Sequence, residues 1–249
     1  MKIVAHRGAS ARAPENTLAA VRLAAELATD GVEVDVRVTR DGLLAVIHDP
    51  DTRRIAPGQP AHTVNRNHLA DLQKLDVGSW KDPKFANERV PALSDVLAAL
   101  GPTQEIFIEL KTREADAILK QLDLLLAPTK AGGFPAERVV LMSFDEATVR
   151  KIKKLRPACR ALLLLNKKPT THVFGKILPT IRAQYLNGIG QNRTWAFMPE
   201  QYAELRDAGA ILSVWTVDSP AEAKIWRDRG FDYLTSNVPD LIAKSSPSA

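Results

Sequence analysis

The sequence predicts a (β/α)8 TIM barrel with a small insertion after the second strand, on three observations. Eight strand-like segments alternate with amphipathic helical ones. The chain has 249 residues, about the length such a barrel needs. Polar residues fall at the same end of consecutive strands, where a barrel of this kind carries its chemistry. A doubly wound open sheet is the runner-up. That fold has fewer strands and often a glycine-rich first turn, and Arg7-Gly8-Ala9-Ser10 is not a dinucleotide-binding pattern. Residues 1–249 read as a single domain.

Lys2 to His6 reads as the first strand. Pro14-Glu15-Asn16-Thr17 then opens a helix, since proline and an acidic residue suit a first helical turn. Leu18, Val21, Leu23, Ala25 and Leu27 give it apolar faces until Gly31 ends the unit. From Gly31 the pattern changes to period two. Val32, Val34, Val36 and Val38 share one face of a strand, and Glu33, Asp35 and Arg37 share the other. Asp41-Gly42 turns the chain into a return segment, Leu43 to Ile47, which stops at His48-Asp49. Taken alone, this stretch fits both an amphipathic hairpin with a wet charged face and a site in which neighbouring carboxylates hold a cation.

Residues 49–92 are mostly polar, with weak periodicity. Leu69, Leu72 and Leu75 suggest one short helix, and Trp80 and Phe85 are scattered aromatic anchors. A stretch of this length inside a compact domain predicts a lid over the active site. Regular alternation resumes with a helix from Leu93 to Leu100, a strand from Glu105 to Leu110 and a helix from Glu114 to Leu126. Further strands are expected at 138–142, 160–165, 185–187, 210–215 and 231–235. Helices are expected at 146–155, 171–181, 199–208 and 220–229, with a short closing helix from Pro239. The Ser-Ser-Pro-Ser tail is the one low-complexity segment.

Composition narrows the function classes. Hydrophobic residues make up 45% and charged residues 25%, as in ordinary soluble proteins, and no apolar run is long enough for a membrane span, so stable membrane association is not expected. The single cysteine, Cys159, forms no internal disulfide and suits a reducing, cytoplasmic setting. Lys2 to His6 already belongs to the fold and does not read as a signal peptide. The net charge of +5 is modest and suits an anionic small molecule. A basic run, Arg150 to Arg156, sits on a helix whose inner face is Val149, Ile152 and Leu155, so it reads as a wet outer face and not as a nucleic-acid site. His62, His68 and His172 read as surface residues. Homo-oligomer formation stays open.

The strand ends collect His6-Arg7, Glu33 and Asp35, His48, and Glu109 with Lys111. Together with Pro14-Glu15-Asn16-Thr17, Thr39, Asp41-Gly42, Trp215-Thr216-Val217-Asp218 and Thr235-Ser236-Asn237-Val238-Pro239-Asp240, they resemble the glycerophosphodiester phosphodiesterase family along essentially the whole chain. The resemblance implies a metal-dependent barrel hydrolase with 49–92 as a small insertion over the site. It implies Glu33, Asp35 and Glu109 as metal ligands, His6 and His48 as the acid/base pair, and Arg7 and Lys111 as phosphate contacts. Two departures stand out: Arg53-Arg54 is followed by Ile55-Ala56 in place of a threonine pair, and Asn237 stands where many members have aspartate.

The chemistry of the residues agrees. Three carboxylates without histidine or cysteine make an all-oxygen site suited to one divalent cation, Mg²⁺ or Ca²⁺. Phosphodiester hydrolysis needs cations at the non-bridging oxygens and proton transfer at both the nucleophile and the leaving oxygen. The nucleophile is either water or the neighbouring glycerol hydroxyl. Arg7 and Lys111 otherwise serve only to pair with the acids, and Trp215 is either core filler or a wall against substrate carbon atoms. The expected reaction takes a small-molecule phosphodiester such as glycerophosphocholine or glycerophosphoethanolamine to sn-glycerol 3-phosphate and an alcohol. The alternatives are a phospholipase D-like enzyme acting on lysolipids and a non-catalytic phosphodiester-binding protein.

Overall fold

Short runs of valine, isoleucine and leucine, each bounded by a turn, form the strands of a closed sheet in the computed structural model, which describes residues 1–111, 114–126 and 133–244. In chain order they are β1 (Lys2–His6), β2 (Gly31–Val38), β3 (Leu44–Val46), β4 (Glu105–Leu110), β5 (Val139–Ser143), β6 (Arg160–Leu165), β7 (Gly188–Asn192), β8 (Ile211–Trp215) and β9 (Tyr233–Ser236). All but β3 are parallel, and β1 pairs with both β2 and β9, which closes an eight-stranded ring among the described residues. The fold is therefore the (β/α)8 TIM barrel. β3 lies outside the ring, antiparallel to the far end of β2 in the expected hairpin, with Gly42 in the left-handed region at φ 76°. The Ser-Ser-Pro-Ser tail lies outside the described residues.

The helices are α1 (Leu18–Glu26), α2 (Leu69–Leu72), α3 (Leu93–Ala99), α4 (Ala115–Leu126), α5 (Glu146–Leu155), α6 (Thr171–Arg182), α7 (Pro199–Asp207), α8 (Pro220–Asp228) and α9 (Pro239–Lys244). Strand parity divides the core. Val32, Val34 and Val36 point outward with Ile106, Ile108 and Leu141 into a layer closed by α1, α3 and α4. The inward residues Val4, Phe107, Val140, Leu162 and Tyr233 fill the lower barrel, where Phe107 and Tyr233 meet edge to face at 4.9 Å. That apolar plug shuts water out from below, so the carboxylates above it open only toward the mouth.

Four expectations change. α1 begins at Leu18, capped by the Thr17 hydroxyl, while Pro14-Glu15-Asn16 stays a turn and Asn16 takes a left-handed φ of 57°. The sixth barrel strand is Gly188–Asn192 and not Tyr185–Asn187. Its glycines disguise it as a loop, yet they are required: a Cβ on Gly188 would lie 2.0 Å from the Ile211 carbonyl oxygen, and one on Gly190 2.7 Å from a Leu164 methyl. Tyr185, expected in that strand, is exposed. On α5 the basic residues are exposed or paired locally, Lys151 with Asp116 at 2.8 Å and Arg150 with Glu146 at 3.3 Å, but Leu155 is exposed and only Val149 and Ile152 form the inner face.

The fourth change concerns residues 49–92, which have a core of their own. Ile55, Ala56, Val64, Leu69, Leu72, Leu75, Val77 and Val90 pack on Ala45 and Ile47, the outer side of the hairpin. Burying aliphatic side chains of this kind contributes about 1.5–3 kcal/mol each, enough to order a segment with little regular secondary structure. Ile55-Ala56 belongs to this core, while Trp80 is exposed. Polar ties to the barrel come from Lys81 Nζ, which donates to the Ser10 carbonyl at 2.6 Å, and from Glu88, which accepts from Ala19 N–H at 3.1 Å. Among the described residues, no helix is long and apolar enough to cross a membrane.

Candidate active site

The parity of β2 and β4 places Glu33, Asp35 and Glu109 inside the ring, and the register sets Asp35 directly beside Glu109. Each offers an oxygen within 4.8 Å of the other two. The wet-face reading of this strand fails: Glu33 is 2% and Asp35 0% exposed. Asn16, in its left-handed turn, donates through Nδ2 to Asp35 Oδ2 at 2.8 Å and accepts from the Asp35 N–H at 3.2 Å. The Arg7 N–H donates to Glu33 at 2.9 Å, and its Nε lies 3.1 Å from Asp35. Lys111 Nζ lies 3.1 Å from Asp35 Oδ1 and 2.5 Å from Glu109 Oε1.

Three acids this close, Glu33 and Asp35 buried and Glu109 half-buried, repel one another. Burial pushes the Glu33 carboxyl well above its ordinary range, and the charges of Asp35 and Glu109 add to the rise. Burial also raises Glu109, against the pull of Lys111. Asp35 goes the other way: burial opposes its ionisation, but Lys111 and Arg7 outweigh it and hold the carboxyl low. Asp35 Oδ1 and Glu109 Oε1 are both buried, and both face the single ammonium of Lys111. Oxygen-only donors, mutually repulsive and crowded within 4.8 Å, fit a hard divalent cation.

The two histidines have unlike partners. His6 Nδ1 is 2.7 Å from Asn237 Oδ1. The amide is oriented from behind, because Asn237 Nδ2 donates to Asp218 Oδ2 at 2.7 Å and the Asn237 N–H to Asp218 Oδ1 at 2.8 Å. The oxygen therefore faces His6, which must carry its proton on Nδ1, and the Nε2 lone pair points toward the acids, 4.0 Å from Glu33. His48 Nδ1 instead meets a carboxylate, Asp49 Oδ1, at 2.7 Å. Burial resists the charge on Asp49, yet Arg54 and His48 hold its carboxyl down at about 2. Burial lowers both histidines; Arg7 adds to the effect at His6, while Asp49 opposes it at His48. His48 is placed by the hairpin, where Ile47 N–H donates to the Asp35 carbonyl at 2.9 Å and Arg37 Nε donates to the His48 carbonyl at 2.8 Å.

A cavity of about 250 Å³ opens over these groups. His6, Arg7, Glu33, His48, Glu109 and Lys111 line its polar side. Met142, Phe144, Leu164 and Trp215 line the other, with Phe144 and Trp215 edge to face at 5.7 Å. Of the eight residues singled out in the sequence, seven reach this cavity. Asp35 lies beneath it, under Arg7 and Lys111.

The supporting residues were less legible. Glu15 and Asn16 looked like a helix start, whereas Glu15 accepts from Arg7 at 2.9 Å and from Arg54 at 2.7 Å. Asn237 stood out only as a departure from the family pattern. Asp49 was visible beside His48, but its partner Arg54 was not. The apolar wall of Met142 and Leu164 had a usable signal, since both occupy inward positions near the ends of β5 and β6.

Residues 6–241 match the Glycerophosphoryl diester phosphodiesterase family. A glycerophosphodiester phosphodiesterase of Caldanaerobacter subterraneus subsp. tengcongensis is 30% identical over 242 residues, covering 96% of this chain and 95% of that protein. One of Bacillus subtilis is 30% identical over 257 residues, covering 97% and 85%. Among solved structures, an Oleispira antarctica phosphodiesterase in complex with the product sn-glycerol-3-phosphate superposes with a TM-score of 0.86 at 24% identity, over 100% of this chain and 97% of that one. The glycerophosphodiester phosphodiesterase of Agrobacterium tumefaciens gives a TM-score of 0.73 at 26% identity, over 98% and 99%.

Proposed function

The chain belongs to the glycerophosphoryl diester phosphodiesterase family, and on that premise we propose that it hydrolyses glycerophosphodiesters such as glycerophosphocholine and glycerophosphoethanolamine, with one Mg²⁺ or Ca²⁺, to sn-glycerol 3-phosphate and an alcohol. One observation carries this reading: three carboxylates lie within 4.8 Å of one another, Glu33 and Glu109 at the wall of a cavity and Asp35 beneath it, and two histidines whose partners differ line the same cavity. The product held by the Oleispira antarctica relative supports the same substrate class.

A divalent cation held by Glu33, Asp35 and Glu109 would supply positive charge for the non-bridging phosphate oxygens. The protein's own groups do the rest. Arg7 and Lys111 add fixed positive charge at the same place and orient the phosphate. His6, its Nδ1 proton held by Asn237, presents Nε2 to take the proton of the attacking hydroxyl, either from water, or from the substrate's glycerol to give a cyclic phosphate that water then opens to sn-glycerol 3-phosphate. His48, beside the charged Asp49, delivers a proton to the leaving oxygen. Trp215 and Phe144 pack against substrate carbon atoms. A cytoplasmic setting belongs to the same proposal, supported by the lone, buried Cys159.

Incubating the purified protein with glycerophosphocholine and with lysophosphatidylcholine tests the reading. Release of sn-glycerol 3-phosphate and choline from the former is expected. Choline release from lysophosphatidylcholine alone would transfer the site to a phospholipase D-like activity, and binding of both without turnover would make it a sensor.

Asn237→Leu removes the acceptor that fixes His6. The expected loss is about 10–100-fold in kcat, the usual cost of removing an orienting partner, with KM little changed. An unchanged kcat would remove Asn237 from the mechanism.

Residues 49–92 are proposed to select substrates as a lid without taking part in the chemistry. Gln59 and Asp76 hydrogen-bond reciprocally, at 2.7 and 2.9 Å, so a short turn can join them; the cut also removes Val64, Leu69, Leu72 and Leu75 from the insertion's core, and a melting curve checks first that the variant folds. KM and headgroup preference should shift while turnover persists. A folded variant inactive on every phosphodiester would place an essential group in the segment.

A further inference from the structure

Strand parity puts a layer of cations above the acids, toward the barrel mouth. Arg37 follows Asp35 by two residues on β2, and Lys111 follows Glu109 by two at the end of β4. Lys111 bends down to Asp35 and Glu109. Arg37 bonds to backbone oxygen atoms: its Nε donates to the His48 carbonyl at 2.8 Å and its Nη1 to the Lys111 carbonyl at 3.3 Å. Both acceptors are neutral, and Arg37 forms no ion pair with a described carboxylate. It is a partly buried guanidinium, held rigidly, with N–H groups left over.

Arg37 borders a groove of about 470 Å³ between the barrel mouth and the insertion. Thr63, Asn65 and Arg66 line it from the insertion, and Lys111 and Glu114 from the barrel. Arg66 is exposed and likewise has no ion pair with a described residue. The groove thus gathers two guanidinium groups, Arg37 and Arg66, beside Lys111, whose charge is shared with Asp35 and Glu109, and one acid, with a hydroxyl and an amide able to donate beside them. Lys111 also lines the catalytic cavity, so the two spaces adjoin at the residue that faces the acids. The aromatic wall of the cavity provides the opposite surroundings for the other half of a substrate.

We propose that this groove is an anion subsite for the leaving group: it takes a carboxylate or second phosphate carried by the alcohol of a glycerophosphodiester whose scissile phosphate lies at the acids. This rests on the phosphodiesterase reading above and adds the substrate class. A guanidinium fixed by backbone carbonyls loses little freedom on meeting an oxyanion, and Arg66 adds long-range attraction at the rim.

Glycerophosphoserine and glycerophosphoethanolamine differ by one carboxylate on the leaving alcohol, so they isolate the subsite. The ratio of their kcat/KM values should favour the serine ester in the native protein. In Arg66→Glu that ratio should fall about tenfold, mostly through KM, and in Arg66→Ala by an intermediate amount. Because Arg66 is exposed, its replacement leaves the packed core intact. Turnover of both substrates with the same ratio in all three proteins would overturn the subsite and leave the phosphodiesterase reading standing. Absence of turnover on these substrates and on glycerophosphocholine would overturn that reading, and the subsite with it.

Discussion

Glu33→Gln and Asp35→Asn are expected to abolish turnover of glycerophosphodiesters, by about 10³-fold or more, while leaving the protein folded. Each keeps the shape of the side chain but removes one of three charges that would hold the cation. A bound metal supplies several kcal/mol of transition-state charge stabilisation, which corresponds to a loss of that order. Stability should behave in the opposite sense. Without a cation, the carboxyl of Glu33 is buried beside two other acids, which is why its proton affinity is raised so far. An amide there relieves the repulsion, so the metal-free Glu33→Gln protein should melt no lower than metal-free wild type. Added Mg²⁺ or Ca²⁺ at a hundred times its Kd should stabilise the wild type by about 2.7 kcal/mol and the variants far less. Thermal unfolding with and without metal, beside the activity assay, separates a lost ligand from a lost fold. Equal metal-induced shifts in wild type and both variants would remove Glu33 and Asp35 from the ligand set.

The second large effect is a division of labour between the histidines. His48→Ala should lose about 10²–10⁴-fold in kcat/KM on glycerophosphocholine, whose alkoxide leaves badly without a proton, and much less on bis-p-nitrophenyl phosphate, whose phenolate leaves unaided. His6→Ala should be impaired about equally on both, because activation of the nucleophile is needed in either case. The partners motivate the assignment. Asn237 offers His6 a neutral amide oxygen that fixes the proton on Nδ1, and Asp49 offers His48 a carboxylate that favours the protonated ring. Equal losses for His48→Ala on the two substrates would end its role as general acid, and the reverse pattern would exchange the roles.

What the sequence revealed and what it hid follow from the same physics. Alternation along Gly31 to Val38 announced both the strand and which side chains face inward, since parity is a property of the chain itself. The ends of the strands gave His6, His48, Glu109 and Lys111 for the same reason. The strand Gly188–Asn192 was hidden because its glycines answer to neighbours far away in sequence, the Ile211 carbonyl and the Leu164 side chain. The core of residues 49–92 was hidden because its aliphatics converge through turns and not through a helical or strand period. Asn237 and His6 are 231 positions apart, and no local pattern states that one orients the other.

The central claim, that this acidic cluster works through a divalent cation to cleave a glycerophosphodiester, is tested most directly by stripping the protein with a chelator and following sn-glycerol 3-phosphate release from glycerophosphocholine. The account predicts that release stops in the stripped protein and returns on titration with Mg²⁺ or Ca²⁺, saturating near one ion per chain. Undiminished release by protein shown to be metal-free would contradict it.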